Sequence, residues 1–164
     1  MPFTAPFLEV GEIELFENLM TVVHGNMKPA LDYFYLADNL PDFALMTDGP
    51  VSQFQFPLLV LSTERMVSEE TDDGAYLSQT LTIGAALAVK DTDLKSARIK
   101  VRKYVRAFKA VVRAAAQQNA LLPPTQNILD HTIDIEHRYV KHGTQGTEVI
   151  QPVEIEIRIK FGEN

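Results

Sequence analysis

Four histidines, His24, His131, His137 and His142, are the only imidazoles in the chain, and the densest run of possible metal ligands is DHTIDIEH, residues 130–137. A metal centre needs three or four donors converging on one point at about 2.0–2.3 Å. Alternation of Ile133 and Ile135 with Asp134 and Glu136 reads instead as a strand. It sends Asp130, Thr132, Asp134 and Glu136 to one face, and His131, Ile133, Ile135, His137 and Tyr139 to the other. His131 and His137 then stand about 20 Å apart, and no metal site is expected. A metal-dependent hydrolase or nuclease would rely on Asp130, Asp134 or Glu136. Pro41-Asp42 could open a nuclease signature, but its partner, an acid, one residue and a lysine, is missing. The nearest form is Glu156-Ile157-Arg158, and a guanidinium stays protonated and cannot serve as a base.

Other chemistries fail on simpler grounds. There is no G-x-x-x-x-G-K-[ST], G-x-G-x-x-G or G-x-S-x-G stretch, so no phosphate loop or nucleophile elbow is indicated. With no cysteine, thiolate catalysis, cysteine-ligated zinc and disulfides are excluded. SEETDDGAY, residues 68–76, is acidic but lacks the twelve-residue calcium-loop spacing. The expectation is a protein that is not an enzyme and uses no cofactor.

The strongest signal is electrostatic. Residues 94–116, LKSARIKVRKYVRAFKAVVRAAA, hold eight Lys or Arg and no acid, in a chain of net charge −7. Seven cations remain elsewhere against all 22 acids, a net of −15. At 100° per residue Leu94, Ala97, Val101, Tyr104, Val105, Phe108, Val111, Val112 and Ala115 form an apolar face, and Lys95, Arg98, Arg102, Arg106, Lys109 and Arg113 form a stripe. With no acid at i,i+4, those cations repel one another unless matched from elsewhere. The stripe suits a solvated face, pairing with an acidic surface of this or another copy, or a phosphate track without interleaved aromatics.

The elements that must carry this helix follow from periodicity. Ile13, Phe16, Leu19, Met20, Val23, Met27, Leu31, Phe34 and Tyr35 recur at helical spacing, with Gly25-Asn26 predicting a break and a second short helix. Residues 39–50 read as a connection. Phe54, Phe56, Leu58 and Val60 mark a first strand. An acidic loop, STERMVSEETDDGAY (62–76), follows with Glu64, Glu69, Glu70, Asp72 and Asp73. Leu77, Leu81, Ile83, Ala85, Leu87 and Val89 share one side of a long strand, and Asp91 or Thr92 is a natural N-cap for the basic helix. LLPPTQN ends that helix, HGTQGTE turns the chain, and Val153, Ile155, Ile157, Ile159 and Phe161 alternate with charge in the last strand.

The order α-β-β-α-β-β predicts one α+β domain over 1–164, with an antiparallel or mixed sheet, a long amphipathic helix packed on one face and an N-terminal helical segment. At 46 % hydrophobic and 23 % charged, the chain can build its own core. No apolar run approaches the roughly 20 residues of a membrane span, and the N-terminus lacks a basic n-region. A soluble protein with no membrane partner is expected.

This element order, through ALDYFYL (30–36), FPLLVL (56–61), an acidic hairpin loop, LTIGAALAV (81–89) and DTDLKSARIKVRKYVRAFKAVV (91–112), resembles the tail-terminator, or tail-completion, proteins of long-tailed bacteriophages. The resemblance implies a non-enzymatic virion protein of the tail and neck, assembled in the host cytoplasm as a homo-oligomeric ring, commonly a hexamer. It would cap the tail tube protein, stop tube growth, join the head-completion (neck) protein and pass DNA without specific binding. Another neck component, such as a stopper or connector, and a nucleic-acid-binding module using the basic helix are the alternatives.

Overall fold

The structure is a computed structural model that describes residues 2, 11–70, 77–118, 120–121 and 128–163, with the side chains of 70, 77–78, 128–131 and 161–163 outside that description. Helix α1 spans Glu12–Tyr35 and helix α2 Leu94–Gln117. The strands are β1 (Leu45–Thr47), β2 (Leu58–Glu70), β3 (Leu77–Asp91), β4 (Ile128–Tyr139), β5 (Gly143–Gln145) and β6 (Glu148–Glu163). They form one mixed sheet ordered β1-β2-β3-β6-β4, with β5 hairpinned onto β6 beyond the end of β4. Among the described strands only β1 and β2 pair in parallel. This is the expected α+β architecture, with both helices covering the same face.

Alternation explains which face. Val153, Ile155, Ile157 and Ile159 of β6 are at most 3 % exposed and meet Leu87, Ala85, Ile83 and Leu81 of β3 beneath the helices. Glu154, Arg158 and Lys160 point from the opposite, open face. From α2, the wholly buried Val101, Tyr104, Phe108 and Val112 complete this core. The buried Tyr104 hydroxyl donates to the Pro41 carbonyl and ties residues 39–44 to the helix layer. Burial, then the Asp42 carboxylate, pushes its pKa far up.

Helix α1 does not break at Gly25-Asn26. Leu15, Leu19, Val23, Met27 and Leu31 form an unbroken i,i+4 ladder with no exposure, each worth about 1.5–3 kcal/mol on burial. That sum exceeds the roughly 1 kcal/mol and 3 kcal/mol intrinsic penalties of Gly25 and Pro29 in a helix. Asn26 also faces outward and donates to the Val22 carbonyl at 2.8 Å.

Other expectations change as well. The N-cap of α2 is Asp93, which accepts from the Ser96 amide at 2.8 Å and the Ser96 hydroxyl at 3.0 Å. Asp91 ends β3 and Thr92 follows it. The first long strand begins at Leu58, after stacked Phe54 and Phe56, and runs to Glu70. Glu64, Glu69 and Glu70 therefore belong to strand β2 and not to a loop; Asp72 and Asp73 lie outside the described residues. Two short strands join the sheet from segments expected to be connections. β1 adds three residues from the segment 39–50, and β5 forms a hairpin turning at Gly146, whose φ of 62° favours glycine.

Candidate functional site

The sheet order decides what surrounds the basic stripe. β4 is outermost among the described strands, and it is helix α2 that lies beside its helix-side residues Ile133, Ile135, His137 and Tyr139. That helix carries the stripe. Lys95, Arg98, Arg102, Arg106 and Arg113 are exposed and Lys109 is half-buried. Of these six, Arg98, Arg102 and Lys109 are placed beside β4 at the open sheet edge, whereas Arg106 packs on Phe34 and Tyr35 of α1.

Their partners are unusual. Five ion pairs join described residues: Lys28–Asp32, Lys90–Glu148, Lys103–Asp38, Arg138–Glu154 and Arg158–Glu156. None of them includes a stripe residue. The two α2 lysines off the stripe are both engaged, Lys103 with Asp38 at 2.6 Å and Lys100 with the Lys90 carbonyl at 3.1 Å. Arg106 instead lies over the Phe34 ring at 4.1 Å, and Arg102 lies 5.9 Å from the Tyr139 ring. Burial, then neighbouring Arg113, lowers the Lys109 pKa. Burial, then Lys109, lowers that of His137 across the groove. Both shifts disfavour the charged form, first through desolvation and second through the neighbouring positive charge.

At the N-terminal part of the stripe, Arg98 and Arg102 meet Tyr139, Val140, Lys141, His142 and Gln151 around a cleft of about 500 Å³. Buried Gln151 fixes its floor by donating to the carbonyls of Val140 at 2.8 Å and Pro152 at 2.9 Å. Tyr139, Lys141 and His142 were not legible as site residues, because only the docking of α2 against β4 brings residues some forty positions apart together.

The acids lie elsewhere. Glu64 lines a shallow groove of about 560 Å³ on the open face with Glu136, Glu154, Glu156 and Arg138. Gly84 leaves room for its carboxylate, since a Cβ there would stand 2.4 Å from Glu64 Oε1. Glu69 is exposed on β2. On this face Arg158 pairs with Glu156 at 2.5 Å and Arg138 with Glu154, while Glu64 and Glu136 form no ion pair with a described residue.

The catalytic constellations do not assemble among described residues. Asp42 sits on the helix side near Tyr104, whereas Glu156 lines the open face, so the would-be nuclease pair is split by the sheet. The side chains of Asp130 and His131 lie outside the described residues. Within the described part, no group of three His, Asp or Glu is placed to hold a metal ion, and no helix is long and apolar enough to cross a membrane. No protein-family model matches the chain, and no curated protein matches it.

Proposed function

We propose that this is a structural protein that self-assembles into a ring, working as a tail terminator of a long-tailed bacteriophage and carrying out no catalysis. The single observation behind this reading is the stripe of six cations with no carboxylate partner among the described residues, on a chain that is otherwise strongly acidic. A ring uses heterologous contacts, in which one patch meets a different patch on the next copy. Opposite charges on separate parts of one chain fit that need and give register. In this reading six copies cap the tail tube protein in the virion neck and offer a surface to the head-completion protein. The excess acid elsewhere lets DNA pass through the ring without strong binding.

A second reading, nucleic-acid binding by the stripe, is favoured by one observation: Tyr139, 42 % exposed, stands beside Arg102 as an aromatic that could stack on a base. The two readings part cleanly. Deleting the gene from the phage genome that carries it should give tubes of uncontrolled length and heads without tails, and purified protein should show closed rings in electron micrographs. Normal tails after deletion would overturn the terminator reading. Tight DNA binding at about 50 mM salt, falling about a thousandfold by 200 mM if six phosphates are contacted, would favour the second.

A further inference from the structure

The cationic cleft has a counterpart at the other side of the sheet. There the start of α1, the residue after β1 and the middle of β2 enclose a second cleft of about 410 Å³, into which Glu12, Glu17 and Asp48 project beside Ile13. All three carboxylates are exposed and none takes part in an ion pair with a described residue. Among the described residues no cation lines this cleft, just as no carboxylate lines the cleft of Arg98, Arg102, Lys141 and His142. Each also exposes an apolar side chain amid the charge: Ile13 is 69 % and Tyr139 42 % exposed.

Both clefts border sheet edge that is free among the described residues. β1 covers only Leu58–Val60 of β2, leaving its outer side free from Leu61 to Glu70. At the other side β4 has no neighbour beyond β6. Three successive antiparallel pairings make β4 antiparallel to β2. Copies set side by side in the same orientation therefore bring β4 of one next to β2 of the next in the sense that the rest of the sheet uses. Along the strands, Tyr139 is level with Leu59 and Glu136 with Ser62. The clefts are thus offset by three residues, a stagger of about 10 Å.

We infer that the occupant of the Arg98–Arg102 cleft is the Glu12–Glu17–Asp48 cleft of a second copy, so that successive copies join head to tail through opposite edges of their sheets. The inference rests on the ring reading and deepens it by naming the two surfaces. Charge sets register and orientation, while Ile13 and Tyr139, withdrawn from water at the contact, supply the apolar part.

Charge exchange tests it. Arg98→Glu with Arg102→Glu gives a chain with two acidic clefts, and Glu17→Lys with Asp48→Lys gives one with two basic clefts. Each variant alone should lose at least tenfold in self-association by sedimentation velocity, and an equimolar mixture should recover it as alternating oligomers of even number. If the wild type associates and neither variant weakens it, the interface is overturned while the ring reading stands. Because the chain has no cysteine, a chain with Thr63→Cys and Lys141→Cys, with Glu12, Glu17, Asp48, Arg98 and Arg102 intact, gives a second readout. Under mild oxidation it should yield a ladder of disulfide-linked multimers, whereas a mixture of the two single variants should stop at dimers. Wild-type oligomers without any ladder contradict the interface. A wild type that neither associates nor forms tail caps, with no ladder, overturns the ring reading too.

Discussion

Two charged surfaces of this molecule obey different rules. On the open face of the sheet, Arg138 meets Glu154 on the neighbouring strand and Arg158 meets Glu156 two residues away. On the flank of α2, Lys95, Arg98, Arg102, Arg106, Lys109 and Arg113 meet no carboxylate among the described residues. The open face draws on two neighbouring strands that carry both signs, with Arg138 opposite Glu154 and Arg158 opposite Asp134 although Glu136 faces Glu156, so cations there find a counter-charge within about 5 Å. The flank comes from one helix of one sign, beside a strand that turns Ile133, Ile135, His137 and Tyr139 toward it. Charge that is matched within the chain is spent on the fold, and unmatched charge stays available to a partner.

The largest effect comes from removing the platform under both surfaces. Phe108→Ala empties a fully buried site that joins α2 to the sheet, and should cost about 3–5 kcal/mol in denaturant unfolding. Both surfaces should then fail together. Next in size is Arg98→Glu with Arg102→Glu. Self-association should weaken by about a hundredfold, or about 2.7 kcal/mol, with the denaturant midpoint unchanged or slightly raised, because like charges are relieved. An equal loss of fold stability would mean that the stripe is matched internally after all.

Smaller effects sharpen the contrast. Asp93→Ala removes the cap that starts α2, and should lower the melting temperature without altering which surface self-associates. The Asp93 carboxyl is held below its ordinary value near 3.8, chiefly by the Ser96 amide and then by the Ser96 hydroxyl. A lowered folded-state pKa stabilises above the unfolded value and is lost as pH falls through the folded one. The gap in melting temperature between wild type and Asp93→Ala should therefore be constant above about pH 5 and close below pH 3.8. Smallest is Arg138→Ala, which breaks an exposed pair on the open face. It should cost about 0–1 kcal/mol of stability and leave self-association intact; a large drop in association would move the interface to the open face.

Much of the fold is local and was legible as such. The alternation of Val153 to Ile159 defines β6, and the 3.6-residue period of α2 separates Val101, Tyr104 and Phe108 from the stripe. What was not legible depends on distant residues. The Gly25-Asn26 break is overridden because Leu15 and Leu19 before it share one buried ladder with Met27 and Leu31 after it. β1 exists because β2 offers Leu58–Val60 as a template, and neither segment betrays this alone. The stripe was visible residue by residue, yet its setting was not. Arg98 and Lys141 converge only when α2 docks beside the outermost strand, and Glu17 reaches Asp48 only when α1 lies over β1 and β2.

The most direct test is the mass of the wild-type protein in solution, followed by sedimentation velocity and native mass spectrometry as salt rises from about 50 to 500 mM, a range over which screening shortens from about 14 to about 4 Å. Contacts made by the unmatched flank predict a discrete closed oligomer at low salt that dissociates toward monomer as salt rises. A protein that remains monomeric at every concentration, or an oligomer indifferent to salt, would contradict the claim that the flank is matched by another copy.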